Sequence, residues 1–216
     1  MPDIFTASNN NYTHSNHLFM NLNFLGKGRS LSLLFSLQLL ILGASAQSHY
    51  TSSSVDLLVS GTSTLHDWTM KDLKADCSAT FDLNAAGQLD GLSALSFATP
   101  INALKSEHGS MDKNAYKALK SDKAPQISYV MSSATITRSP AGSTIACKGK
   151  LTIAGTARDE DVVAVCKANA DNTITVTGTK KISMQQYNVK PPTFMLGTVK
   201  TGNDIVLTFN LILKRS

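Results

Sequence analysis

The sequence predicts an all-β fold, a single antiparallel β-barrel of about eight strands with one short helix inserted near residues 110–120. Three observations support this prediction. Apolar residues alternate at period two through most of the chain after residue 54, turn-forming clusters separate the alternating stretches, and only residues 104–125 show helical spacing. Short, evenly spaced strands in this number are typical of β-sandwiches and closed barrels.

The first 46 residues are predicted to be an N-terminal extension followed by a secretory signal peptide. Residues 30–43 form an apolar run that is preceded by Lys27 and Arg29 and followed by Ala44-Ser45-Ala46. This is the order of a signal peptide, and the run is shorter than the roughly 20 residues of a membrane-spanning helix. We therefore expect cleavage after Ala46, a domain of residues 47–216 without a spanning segment, and an exported protein that is periplasmic or extracellular.

Charge and composition exclude one class of partner. The net charge of +5 is spread along the chain without a basic run, and aromatic residues make up only 6% of it. Proteins that bind nucleic acids usually combine clustered Lys and Arg with aromatic side chains. We therefore expect no nucleic-acid partner.

Each strand is predicted from its own alternation of apolar and polar residues. The first strand covers residues 55–62, and the turn at 84–87 separates the strands at 70–83 and 92–101. The remaining predicted strands lie at 127–136, 145–153, 162–168, 173–178, 180–185 and 205–214. The last strand is the most regular, because every second residue from Ile205 to Leu213 is apolar.

One helix interrupts the series of strands. Ser110 is its predicted N-cap, and Pro125 follows its end. Its apolar stripe is formed by Met111, Ala115, Ala118 and Leu119. In a barrel, such an insertion is expected to lie at the rim and to pack over the mouth.

The three cysteines leave two interpretations open. Cys147 and Cys166 lie nine or ten residues on either side of a turn predicted near Thr156 and Ala157. An exported chain can form disulfides, so we favour a Cys147–Cys166 disulfide with Cys77 free. The alternative is three buried, reduced thiols.

Four polar residues are the candidates for chemistry. His66, Glu107, His108 and Asp112 could form a metal site or an acid–base pair, but their spacing matches no established metal or catalytic motif. The alternative is hydrogen bonding at the rim or ordinary surface placement. The sequence contains no nucleophile motif or phosphate-binding loop, so we predict no catalytic residue, no metal and no cofactor.

The inward strand faces also admit two interpretations. An eight-stranded barrel is just wide enough to hold one small ligand, so its apolar faces form either a filled core or the wall of a cavity for a long apolar molecule. The predicted cavity-lining residues are Val59, Trp68, Leu95, Phe97, Ile127, Tyr129, Met131, Phe209 and Leu211.

Four segments together resemble a known family. They are residues 61–68 (GTSTLHDW), 79–133, 149–168 and 180–213, and the likeness extends over residues 50–214. Their order and spacing resemble the YceI-like domain, the exported polyisoprenoid-binding proteins of bacteria. The resemblance implies a lipocalin-like antiparallel barrel that holds an isoprenoid chain in its central cavity, and a periplasmic or secreted location.

The resemblance also implies a set of rim residues. His66 matches the family's histidine after the first strand, and Glu107-His108 with Met111-Asp112-Lys113 matches the polar segment before its helix. We therefore predict His66, Glu107, His108 and Asp112 as rim contacts of a ligand. The cysteines and the 191–194 loop (PPTF) depart from the family pattern, so the ligand itself is left open.

The expected function is non-enzymatic binding, carriage or sequestration of a long apolar amphiphile, an isoprenoid quinone or a polyprenyl lipid, in the barrel cavity. Two alternatives stay open. One is an envelope enzyme or metal-binding protein that uses the four rim residues, and the other is a structural or stress-response envelope domain with a filled barrel. A homodimer is compatible with each of them.

Overall fold

Ten β-strands and one α-helix form the regular structure of residues 46–139 and 142–216, the part of the chain that the computed structural model describes. The predicted extension and signal peptide, apart from Ala46, lie outside these residues. The strands are β1 (Ala46–Ser63), β2 (Trp68–Asp72), β3 (Asp76–Leu83), β4 (Leu89–Pro100), β5 (Gln126–Ser139), β6 (Gly142–Ile153), β7 (Thr156–Ala168), β8 (Thr173–Ser183), β9 (Thr193–Phe194) and β10 (Val199–Arg215). The helix α1 is Gly109–Ala118, and short 3-10 helices cover Ile101–Ala103, Met184–Tyr187 and Met195–Gly197.

The strands close into an antiparallel barrel. Neighbours in the chain pair from β3 to β8, β8 pairs with β10, and β1 pairs with both β10 and β3. One half of β1, residues 46–51, pairs with β3, and residues 57–61 pair with β2, so β2 and β3 share one position in the ring. The ring therefore has eight positions, and the predicted fold class is confirmed.

Several strand predictions differ from the structure in their extent. The strand predicted at 70–83 is two strands, β2 and β3, and β7 and β10 each begin six residues earlier than predicted. The first strand begins at Ala46 rather than residue 55, because its polar N-terminal half pairs with β3 and β10. The strands predicted at 173–178 and 180–185 form the single strand β8, which stays paired with β10 from Thr173 to Ser183. Gly178 and Lys180 interrupt the apolar alternation but not the backbone ladder between β8 and β10.

The end of the barrel away from α1 is filled by large side chains. Tyr50 and Phe81 pack edge to face with ring centroids 5.6 Å apart, and both are almost fully buried. Ile145, Ile174 and Leu213 are also at most 1% exposed. These residues lie on β1, β3, β6, β8 and β10 near the strand ends opposite to α1, so this end of the barrel is a packed core.

The helix begins one residue before the predicted N-cap. His108 occupies the N-cap position without a side-chain hydrogen bond, and Ser110 lies in the first turn. The structure thus places the helix where the apolar spacing predicts it, but the capping prediction is wrong. In the described part of the chain, no helix combines the length and the apolar composition that a bilayer-spanning helix requires.

The cysteine prediction is also wrong. Ile153 pairs with Thr156, so the β6–β7 turn is Ala154-Gly155, whose positive φ angles of 51° and 78° are those of a two-residue hairpin turn. This register places Cys147 opposite Val162 and Cys166 opposite Ser143, and all three thiols are free and buried. The predicted disulfide assumed a turn near Thr156 and Ala157, about two residues after the turn that the structure shows.

We predict that the folded protein resists thiol reagents. Burial raises the pKa of Cys77 and of Cys166 to about 12 and raises the pKa of Cys147 above its usual value, so the reactive thiolate is scarce at neutral pH. Iodoacetamide should therefore label the three cysteines only after denaturation, and reductant should leave the intact mass unchanged. A non-reduced mass that is lower by two hydrogens would contradict this prediction.

Candidate functional site

A cavity of about 440 Å³ lies inside the barrel and extends to α1. This volume falls in the range of about 300–1,000 Å³ that is typical of small-molecule sites. Side chains from most strands and from α1 form its wall, and most of them are aliphatic or aromatic. The barrel is therefore packed at one end and hollow toward the other.

Strand parity explains why the wall is apolar. Successive side chains of a strand point to opposite faces, so the regular alternation of β10 sends Ile205, Leu207, Phe209 and Leu211 into the cavity. β4 contributes Leu95, Phe97 and Thr99 in the same way. Medium-sized residues dominate these rows, and they do not meet across the barrel.

The structure places eight of the nine predicted cavity residues in the cavity wall. These eight are Val59, Trp68, Leu95, Phe97, Ile127, Tyr129, Phe209 and Leu211. The ninth, Met131, is half-buried and packs against the hydrophobic core without forming part of the wall. The role of all nine in ligand binding remains a prediction.

The apolar stripe of α1 faces the cavity. Met111, Ala115, Ala118 and Leu119 all line it, so the helix covers part of one end. Trp68 lies at the same end, and its Nε1–H donates to the carbonyl of Thr62 at 3.0 Å. This hydrogen bond fixes the orientation of the indole ring at the cavity wall.

The four predicted rim residues do not form one cluster. His66 and His108 line the cavity, whereas Glu107 and Asp112 do not. The Nδ1 atom of His66 is 2.8 Å from the carbonyl oxygen of Asp67. Within residues 46–139 and 142–216, no three His, Cys, Asp or Glu side chains are close enough to hold a metal ion. The metal-binding alternative therefore has no ligand set here.

Asp112 fastens α1 to the segment that precedes it. Its Oδ1 atom accepts hydrogen bonds from the amide and the hydroxyl of Ser106, each at 2.7 Å, and its Oδ2 atom lies 3.9 Å from Nζ of Lys105. Burial alone would raise the pKa of Asp112. The Ser106 hydrogen bonds and the charge of Lys105 outweigh it, so this pKa lies below its usual value.

A second anchor ties this segment to the barrel. The backbones of Lys105 and Lys71 exchange hydrogen bonds of 2.7 and 2.8 Å, which attach the segment to β2. The hydroxyl of Tyr116 on α1 donates to the carbonyl of Leu104 at 2.8 Å. The helix is thus held at its N-terminal half by Asp112 and farther along by Tyr116.

We predict that Asp112→Ala loosens α1 and lowers the free energy of unfolding by about 1 kcal/mol at neutral pH, because two partly buried hydrogen bonds to a carboxylate are lost. Hydrogen exchange of residues 105–118 and thermal unfolding measure the effect. The exposed Asp122→Ala is the matched control.

The pH dependence of this effect follows from the direction of the pKa shift. A carboxyl whose pKa is lowered by folding stabilises the native state above its unfolded pKa of about 3.9. That contribution is lost as the pH falls through the lowered native pKa. The difference between Asp112→Ala and the wild type should therefore be full above pH 5 and shrink in stronger acid. A difference that grows in acid would contradict the assignment.

Sequence reasoning missed the charged part of the cavity wall. Lys180 lines the cavity beside Tyr187, and its Nζ atom lies 2.6 Å from Oε2 of Glu160. The period-two alternation of β8 could have predicted this position, because Lys180 lies in the same inward row as Val176 and Ile182. Dividing this strand in two at residue 179 obscured the continuity.

Comparison with known proteins supports the fold assignment. No protein-family model and no curated protein matches the sequence. The structure is similar to that of BcnA from Burkholderia cenocepacia, with a TM-score of 0.58 and 15% identity over 73% of this chain and 95% of that one. It is also similar to a polyisoprenoid-binding domain from Saccharophagus degradans, with a TM-score of 0.57 and 8% identity over 79% of this chain and 100% of that domain.

A third solved structure, the YceI protein of Campylobacter jejuni, matches with a TM-score of 0.47 and 20% identity over 66% of this chain and 84% of that protein. The fold assignment rests on the first two structures. It agrees with the resemblance to the YceI-like domain that the sequence carries.

Proposed function

We propose that this protein binds a long apolar amphiphile in its barrel and carries or sequesters it without chemical conversion. The observation that supports this proposal is the apolar cavity of about 440 Å³. A polyisoprenoid or quinone tail matches such a wall, which offers many apolar contacts and few polar ones. The barrel fold that the chain shares with a polyisoprenoid-binding domain supports the same ligand class.

Affinity would come from removing the tail from water. Each Å² of buried apolar surface contributes roughly 25 cal/mol before the costs of ordering and association. The closed ladder has already ordered the walls, so the protein loses little conformational freedom on binding. A pre-formed cavity is therefore suited to a flexible tail.

In this proposal α1 is a lid over the tail. The helix contributes Met111 and Leu119 to the cavity wall, and His66 and His108 lie where a polar head group would meet solvent. Methionine adapts its shape to irregular chains at little cost. Opening of α1 would therefore expose the cavity without opening the barrel ladder.

We further propose that the protein works outside the cytoplasm. The n-region, apolar run and Ala44-Ser45-Ala46 pattern support export, and β1 begins at Ala46. Cleavage after Ala46 leaves Gln47, which pairs with Asp82 of β3, as the first residue of the barrel. Outside the cytoplasm, a carrier of insoluble lipid would encounter ligands that come from membranes.

We predict that protein purified from its native host contains a long-chain lipid. Organic extraction followed by mass spectrometry should recover about one lipid per chain, because the cavity would hold one tail. Protein that is unfolded before purification and then refolded without lipid is the control. Recovery of no lipid from the native material would contradict the proposed function.

A matched pair of substitutions tests whether the lipid lies in the cavity. Val162 lines the cavity, whereas the adjacent Val163 is 51% exposed. A phenyl ring at position 162 would displace about three CH₂ groups of the tail, which at about 0.8 kcal/mol each weakens binding by about 2.4 kcal/mol, or about fiftyfold. Val162→Phe should therefore lose most of the lipid, and Val163→Phe should keep it. Equal occupancy in the two variants would place the lipid elsewhere.

A further inference from the structure

A polar cluster interrupts the apolar cavity wall where β7 and β8 separate. These strands pair only between Ala164–Ala168 and 174–178, and their described residues form no pairs beyond Ala164 and Gly178. The 3-10 helix Met184–Tyr187 contacts β7 and β10 beside this gap. The inward side chains Glu160 and Lys180 face each other across it.

The contacts of Lys180 and Glu160 are specific. The Nζ atom of Lys180 lies 2.6 Å from Oε2 of Glu160 and donates to the carbonyl of Asp161 at 2.8 Å, on the part of β7 that does not pair with β8. The hydroxyl of the fully buried Tyr187 donates to Oε1 of Glu160 at 3.0 Å. The side chains of Lys180 and Glu160 are only 21% and 16% exposed. The pair is therefore held from several sides.

A second tyrosine reaches the same cluster from β5. The hydroxyl of Tyr129 donates to the carbonyl of Glu160 at 3.3 Å. The ring crosses over Gly149, where a Cβ atom would overlap it. Burial, followed by nearby negative charges, raises the pKa of Tyr129 to about 12, and burial with the Glu160 hydrogen bond raises the pKa of Tyr187 further. Both tyrosines therefore stay protonated at neutral pH, and both hydroxyls donate to Glu160.

One hydrogen-bond donor remains for a ligand. An ammonium group carries three N–H donors; Lys180 donates one to the carbonyl of Asp161 and forms an ion pair with the Glu160 carboxylate on a second side. No described residue accepts the third, and Lys180 itself lines the cavity. The Lys180 side chain is only 21% exposed, so an unused donor there favours a ligand that supplies an acceptor, because a polar group removed from water without a partner costs free energy.

Given the proposed lipid-binding function, we infer that Lys180 donates its remaining N–H to a carbonyl oxygen in the head group of a neutral lipid. The ligand class is then a long-chain quinone, ester or amide rather than a phosphorylated polyprenyl. Glu160 neutralises Lys180, so the pair has no net charge to offer a phosphate. A phosphate at the third N–H would instead lie close to the Glu160 carboxylate and be repelled by it.

The position of Lys180 also orients the ligand. On β8 the inward row runs from Ile182 through Lys180 and Gly178 to Val176, toward the packed end of the barrel. A head group held at Lys180 therefore directs its tail along Val176 and Leu211, which both line the cavity. The head group would lie in the part of the cavity nearer to α1.

Three probes with the same phytyl-type tail test the inference: phylloquinone, phytane and phytyl phosphate. Their affinities for lipid-free protein are measured by displacement of a fluorescent apolar dye. The variant is Lys180→Met with Glu160→Gln, which removes both charges while the glutamine oxygen still accepts from Tyr187. The control is Lys181→Met, whose Nζ pairs with Asp204 at the outer surface at 2.9 Å. Circular dichroism and thermal unfolding establish that each variant is folded.

We predict that the double variant binds phylloquinone at least about tenfold more weakly, because a hydrogen bond from a charged donor is lost. Its affinity for phytane should stay within about twofold of the wild type, and Lys181→Met should change neither affinity. Wild-type protein should bind phylloquinone more tightly than phytyl phosphate.

The possible failures are distinguishable. Equal losses for phytane and phylloquinone would mean that the pair only closes the gap between β7 and β8, and would overturn the inference. An unchanged phylloquinone affinity, or tighter binding of phytyl phosphate, would overturn it as well. In all three cases, binding of phytane by the wild type leaves the carrier function standing. Failure of the wild type to bind any probe would overturn both.

Discussion

Pairing of the first strand with the last is the constraint on which the rest of the structure depends. β1 and β10 are joined in antiparallel register from Tyr50–Arg215 to Ser63–Thr201, and this ladder turns an open sheet into a ring. Closure joins the two ends of the sheet, so that in the described residues the ring is interrupted where β7 and β8 separate, and it defines two faces, an inner and an outer one. The alternating residues of every strand are then sorted between these faces. The cavity and its lining follow from that sorting.

The interior is hollow at one end because of where the large side chains lie. Tyr50, Phe81 and Leu213 fill the end away from α1. Toward α1 the wall consists mainly of medium-sized residues that do not reach one another, and the helix covers the space with its own apolar stripe. A gap in a well-packed protein costs stability, so a cavity of about 440 Å³ that is maintained by a rigid ladder suits a ligand that fills it.

The polar groups near the cavity have two different tasks. Asp112 and Tyr116 hold α1 in position through hydrogen bonds to the segment before it. Lys180 and Glu160 bridge β7 and β8 where their ladder stops, and their contacts replace part of it. A charged pair in an apolar wall is costly unless its hydrogen bonds are satisfied. Lys180 and Glu160 have partners for nearly all of their hydrogen-bonding groups. The remaining N–H of Lys180 is the polar feature that distinguishes this cavity wall from a plain aliphatic one.

The sequence by itself determined the fold class, the place of the helix and the inward faces of most strands, because alternation and helical spacing are local properties. Only the tertiary structure decided three matters. The two-residue turn at Ala154-Gly155 fixed the register that separates Cys147 from Cys166, and a shift of two residues in a turn is invisible to periodicity. The separation of β7 from β8 brought Lys180 to Glu160 across twenty residues of chain. Whether the apolar faces would meet or leave a cavity depended on the diameter that closure imposes, and no single strand contains that information.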